Sequence, residues 1–187
     1  LKDISITSKL IEAGGRTDID KAVDEAVEAH NSIGGVVECR VNGLPVGLGE
    51  PFWDSVESLI SHAVFAIPAT KGIEFGSGFE AARMKGSEHN DLIIDDKGTT
   101  ATNHSGGING GITNGNELYF RVAIKPTSSI SIPQQTMNFE SGRVEELVIK
   151  SRHDACVGLR VPPILEAMTA IVLADLMILV QKATRVM

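Results

Sequence analysis

Three stretches of the chain carry more glycine, hydroxyl and charge than a fold by itself requires. The first is Ile67-Pro68-Ala69-Thr70-Lys71-Gly72-Ile73-Glu74-Phe75-Gly76-Ser77-Gly78-Phe79, whose glycines allow a backbone to approach a ligand closely; a helix-to-strand turn accounts for the same residues. The second runs from Asn103 to Gly115 and holds two glycine pairs, Gly106-Gly107 and Gly110-Gly111. Such pairs leave amides able to point at an anion or a flat ring, forming a nest, and a plain mobile loop has the same composition. No Gly-Lys-Ser/Thr follows, so this is not a Walker A loop. The strand comes after the glycines, so it is not a dinucleotide fingerprint either. Downstream, Lys125-Pro126-Thr127-Ser128-Ser129 sets one ammonium before three hydroxyls. A point charge with neutral donors beside it suits a phosphate, although a solvated turn uses these residues too. The third stretch, Arg152-His153-Asp154-Ala155-Cys156-Val157-Gly158-Leu159-Arg160, offers two guanidiniums for a carboxylate or phosphate. Asp154 can serve in proton transfer or pair with an arginine, and His153 reads as structural. No Ser-His-Asp or Cys-His arrangement follows from linear order. Cys39 and Cys156 have no metal-ligand spacing, so no metal is expected.

The elements that position these groups follow from periodicity. Ile19, Val23, Ala26, Val27 and His30 recur at helical spacing, with Asp18 or Asp20 suited to the N-cap, and predict a helix to about His30. Asn31-Ser32-Ile33-Gly34-Gly35 breaks it. In the strand that follows, Val37, Cys39 and Val41 face one way and Glu38 and Arg40 the other. After a Gly/Pro-rich loop from Leu44 to Pro51, Val56, Leu59, Ile60, Ala63 and Val64 mark one face of a second helix, capped by Asp54 and stopped near Pro68. Lys71 to Gly76 predicts a short strand, and the polar stretch from Lys85 to Thr102 an exposed excursion, a flap. Leu118, Phe120, Val122 and Ile124 alternate cleanly and predict the best strand in the chain, ended by Pro126 so that the residues beyond it project. Val144 to Lys150 predicts another strand. Pro162-Pro163 opens the last helix, where the first-turn amides need no partner.

That helix is apolar nearly all round from Ile164 to Val180. Glu166 and Asp175 interrupt a stretch already short for a bilayer, so it is not read as a membrane span. A helix apolar on every side belongs between two layers and is expected to be almost fully buried. The fold class is α+β: a layered β-α-β sandwich with antiparallel sheets enclosing helices, and residues 1–187 forming a single domain. The 187 residues carry a net charge of −7, which provides no basic field for a nucleic acid or an anionic membrane. An anionic ligand must therefore be met by local groups. Cys39 falls at an apolar strand position and is expected to be a buried, inert thiol, as in a reducing, cytoplasmic compartment. No cleavable signal opens the chain, and its first residue is Leu1 instead of methionine, as in a piece of a longer protein.

Taken in order, these segments resemble the signatures of the chorismate synthases. The resemblance rests on Ser32-Ile33-Gly34-Gly35 with Gly47-Leu48-Gly49-Glu50-Pro51, and on Ser61-His62-Ala63 with Ile67-Pro68-Ala69 and Lys71-Gly72-Ile73-Glu74-Phe75-Gly76. Asn103-His104-Ser105-Gly106-Gly107-Ile108 with Gly110-Gly111-Ile112, then Lys125-Pro126-Thr127-Ser128-Ser129-Ile130, then Arg152-His153-Asp154 complete it, and Glu166-Ala167-Met168 with Leu173-Ala174-Asp175 continue it into the last helix. It runs from about residue 31 to the end, whereas residues 1–30 match loosely. Asn31 and Ala155 depart from an aspartate and a proline usual in the family. The family's two catalytic histidines and most of its substrate arginines belong to an N-terminal part that this chain lacks.

The resemblance implies conversion of 5-enolpyruvylshikimate 3-phosphate to chorismate by 1,4-elimination of phosphate and a proton, with reduced FMN required. The resemblance also implies NADPH as the reductant associated with the flavin and a homotetrameric assembly. It implies that Lys125 and Ser129 hold the flavin phosphate, with Pro126, Thr127 and Ser128 beside them. Pro68, Ala69 and Gly110 make backbone contacts to FMN. Arg152 faces flavin and substrate, and Asp154 sits near flavin N5 as the catalytic residue and a substrate contact.

Overall fold

A computed structural model describes residues 3–150 and 153–182. Its centre is a four-stranded, wholly antiparallel sheet in the order β1-β2-β6-β3. These strands span Ser5–Ala13 (β1), Gly35–Asn42 (β2), Thr70–Phe75 (β3) and Leu118–Ile124 (β6). The predicted alternation in β6 is what fills the middle of this sheet. Leu118, Phe120, Val122 and Ile124 are all buried, pairing with β2 on one side and β3 on the other. Because strand side chains alternate with period two, the same register sends Tyr119 and Arg121 to the opposite face. There Lys9, Glu38, Arg121 and Glu74 form one cross-strand row of alternating sign, with Arg121 2.8 Å from Glu74 and Lys9 3.7 Å from Glu38. Arg40 binds Glu38 at 2.8 Å, lies over the Tyr119 ring and holds the Glu38 carboxyl below the usual carboxylate range.

The apolar face is covered by α2 (Val56–Val64) and α4 (Val161–Lys182), while α1 (Ile19–Glu28) packs at the end of β1. Val56, Ile60 and Val64 of α2 meet Val161, Leu165, Leu173 and Leu176 of α4 over Val37, Cys39, Val41 and Phe120. Cys39 is buried as expected, its Sγ 3.8 Å from the Thr169 hydroxyl, and burial pushes its thiol pKa up to about 12. The cap of α2 is Ser55, whose hydroxyl accepts from the Ser58 amide, and not Asp54. The excursion from Lys85 to Thr102 contains a single helical turn, α3 (Gly86–His89), and an Ile93–Thr100 bridge. The strand expected over Val144 to Lys150 is β8 (Arg143–Leu147), which pairs with β7 (Gln134–Asn138) in an exposed hairpin apart from the main sheet.

The last helix departs from expectation. Val161, Leu165, Thr169, Leu173 and Leu176 recur at spacings of three and four and are buried against the sheet. On the other side Ile164, Ile171 (64% exposed), Ile178 and Leu179 face outward. Glu166 accepts the Ser8 amide of β1 at 2.7 Å. The α+β class holds, but among the described residues there is one sheet layer on this helix and no second. An all-round apolar helix with one bare face marks where a second layer belongs. In the 187-residue chain, Leu173→Ala should therefore cost about 2–5 kcal/mol. Ile171→Ala should stay within about 0.5 kcal/mol. Urea unfolding of the two variants measures the contrast, and equal losses would mean that both faces are already covered.

Candidate functional site

At the end of β6 four separate segments come together. The Lys125 amide donates to the Ala69 carbonyl at 2.9 Å, so the strand's end is fixed to the turn that follows α2. The Ser32 hydroxyl donates to the Thr127 carbonyl at 2.6 Å, and the Ile33 amide to the Ala155 carbonyl at 2.8 Å. Gly34 lies so close to β6 that an added Cβ would fall 2.5 Å from the Ile124 carbonyl oxygen and 3.2 Å from Pro126. Glycine is needed here for room. Residues 32–35, 67–70, 124–129 and 153–155 thus form one arc, although they are far apart in the chain.

Within this arc the Lys125 ammonium is exposed and makes no ion pair among the described residues. Ser128 is exposed and Ser129 half-buried. The hydroxyls of Thr127 and Thr70 are buried and find no hydrogen-bond partner among the described residues. Such groups are rare in a finished structure and call for a partner from elsewhere. Asp154 pairs with Arg160 at 2.7 Å, which realises the ion-pair alternative, and His153 Nε2 lies 3.3 Å from the Ile149 carbonyl. Arg152 lies outside the described residues. Pro68 is exposed, and Ala69 is held at φ 70, a left-handed conformation costly for any residue with a Cβ.

The glycine-rich loop lies elsewhere. Gly106 pairs with Tyr119, and the Asn114 amide donates to Gly107, so this loop flanks the start of β6 while Lys125 follows its end. A seven-residue strand separates the two by roughly 20 Å. The Gly106-Gly107 part of the loop therefore brings no amides to Lys125. The nest expectation also changes. The His104 and Ser105 amides donate to the Asp91 carboxylate at 2.8 and 2.9 Å, and the Gly107 amide to Asn103 Oδ1 at 2.8 Å. The anion is internal. Gly110 and Gly111 connect the two-residue strands β4 (Ile108–Asn109) and β5 (Ile112–Thr113) with φ of 59 and 88, as a tight hairpin turn demands. Gly110 is exposed, with open space where a Cβ would stand.

Sequence reasoning missed four contributors. Ser32 was visible only as part of a glycine motif. Thr70 was one hydroxyl in a turn. Asp91 stood in a polar stretch without periodicity, its partners 11 to 14 residues downstream. The Ser77 hydroxyl 2.7 Å from His104 Nδ1 was likewise invisible across 27 positions.

Ala69 gives the arc a direct test. Replacing it with glycine removes the left-handed penalty of about 1–2 kcal/mol but adds unfolded-chain entropy of about 0.4–1 kcal/mol. Ala69→Gly should therefore raise stability by up to about 1.6 kcal/mol, read from the urea midpoint. A loss would show that the alanine is not strained.

Residues 5–178 match the family model described as chorismate synthase. The chain is 60% identical over 183 residues to the chorismate synthase of Chitinophaga pinensis, covering 98% of this chain and 55% of that protein. It is 49% identical over 151 residues to the chorismate synthase of Archaeoglobus fulgidus, covering 80% of this chain and 42% of that one. A crystal structure of a chorismate synthase superposes with a TM-score of 0.75 at 27% identity, over 94% of this chain and 57% of the other. The likeness begins near residue 5, earlier than the motifs alone suggested, and the chain spans about half the length of the curated relatives it matches. On these grounds the chain belongs to the chorismate synthase family.

Proposed function

We propose that this chain supplies the C-terminal part of a chorismate synthase. The whole enzyme forms chorismate from 5-enolpyruvylshikimate 3-phosphate with reduced FMN, as a cytoplasmic homotetramer. The observation that carries the reading is the arc at the end of β6. Its segments carry an exposed ammonium, the Ser128 and Ser129 hydroxyls, and two buried threonine hydroxyls that lack partners among the described residues. That donor set fits a phosphate dianion, which the chain's net charge of −7 would otherwise repel.

In this reading Lys125 and Ser129 hold the flavin phosphate with Ser128 beside them, Pro126 ends the strand so that they project, and Thr127 offers its buried hydroxyl. Pro68 and Ala69 bring backbone alongside. Reduced FMN, when bound, supplies the transient electron donation that weakens the allylic C–O bond. Asp154, oriented by Arg160, is the proposed proton acceptor, and Arg152 faces flavin and substrate. Gly110 touches a different part of the flavin from Lys125. The bare side of α4 is covered by the part of the full-length protein that this chain does not span, giving the layered β-α-β sandwich.

Two outcomes test this. Lys125→Ala in the full-length enzyme removes a charged hydrogen bond of about 1.5–3 kcal/mol, so FMN affinity should fall roughly ten- to a hundredfold. Fluorescence titration of FMN at fixed salt reads it, and unchanged affinity would move the phosphate elsewhere. The second concerns the chain by itself. Purified residues 1–187 with reduced FMN and substrate should form no chorismate, because the family's histidines and most substrate arginines lie outside it. Turnover by the chain alone would show that the 187 residues hold a complete site.

A further inference from the structure

We propose that Asp91 is a positioning residue for the flavin site, the internal anion that sets the shape of the glycine-rich loop. The loop from Asn103 to Gly111 holds four glycines with positive φ, and glycine loses more conformational freedom on ordering than any other residue. Such a loop takes one shape only if something outside it pulls its amides into place. Asp91 does so from the excursion between Lys85 and Thr102. Its Oδ1 accepts the Thr102 hydroxyl at 2.7 Å and the His104 amide at 2.8 Å, and its Oδ2 accepts the Ser105 amide at 2.9 Å. Both oxygens are used, by one hydroxyl and two backbone amides, in charge-assisted bonds. Burial opposes the ionised form, yet the hydrogen bonds from Thr102, Ser105 and His104 hold the carboxyl below the ordinary range.

Two further anchors complete the frame and define what Asp91 adds. Asn103 ties the loop to β6, donating to the Glu117 carbonyl at 2.8 Å and accepting the Gly107 amide at 2.8 Å. Ser77, just beyond β3, donates its amide to the His104 carbonyl at 2.8 Å and meets His104 Nδ1 through its hydroxyl. Both contacts join the loop to the sheet. Asp91 joins it to the excursion by hydrogen bonds, beside the His89 ring that lies 5.6 Å from the His104 ring, and so couples the excursion to the loop that carries the Gly110 turn. The Ser105 hydroxyl then lies 3.5 Å from Asn109 Nδ2, one residue from Gly110, so the frame reaches the turn itself.

The functional half of this inference rests on the flavin reading of Gly110; the structural half does not. The experiment uses the full-length protein with Asp91→Asn and Asp91→Ala, and Lys125→Ala in parallel. Asparagine keeps the size of the side chain but presents an NH2 where the second amide needs an acceptor. Backbone amide exchange at His104 and Ser105 should accelerate at least about tenfold in both Asp91 variants, with the urea midpoint little changed. FMN affinity should fall by roughly tenfold, because the loop shape competent to bind is then only about a tenth populated. Unchanged exchange at His104 and Ser105 would overturn the latch itself. Faster exchange with unchanged FMN affinity, while Lys125→Ala still weakens FMN, would overturn the positioning role and leave the flavin reading standing. Unchanged FMN affinity in all three variants would overturn both.

Discussion

Everything in this structure depends on the pairing of β6 on both its edges. Antiparallel bonds to β2 and β3 fix its register, and a slip of one residue would send Phe120 and Val122 to the charged face. The same register sets Glu38 and Glu74 opposite Arg121, so the outer face adds a second, electrostatic reason for the alignment the core requires. With the strand fixed, its two ends are fixed points. One carries Lys125 and the hydroxyls beyond it; the other carries the glycine-rich loop.

The arc around Lys125 shows how little of a binding site needs to be local. Ser32, Ala69 and Ala155 each contribute one backbone or hydroxyl bond across at least 55 residues of chain or more, and each holds a neighbouring segment in place. The cost is visible in Ala69, kept at positive φ, and in the Thr70 and Thr127 hydroxyls left without partners among the described residues.

The bare side of α4 belongs to the same account. Its apolar residues run round the whole helix, but the sheet can cover only the side that carries Val161, Leu165, Leu173 and Leu176. The chain spans about half the length of the curated relatives it matches.

Period and chemistry were legible in the sequence. The alternation of Leu118 to Ile124, the helical spacing of Val56 to Val64, the burial of Cys39 and the α+β class follow from side-chain periodicity, which is a local property. The family signatures were legible for the same reason, since they are short runs of residues. Tertiary structure alone decided which hydroxyls meet which carbonyls. It placed Gly106 and Gly107 roughly a strand's length from Lys125, paired Asp154 with Arg160, and gave the His104 and Ser105 amides to Asp91 instead of a ligand. Those outcomes turn on contacts between segments far apart in the chain, and a linear pattern carries no record of which distant backbone a side chain will face.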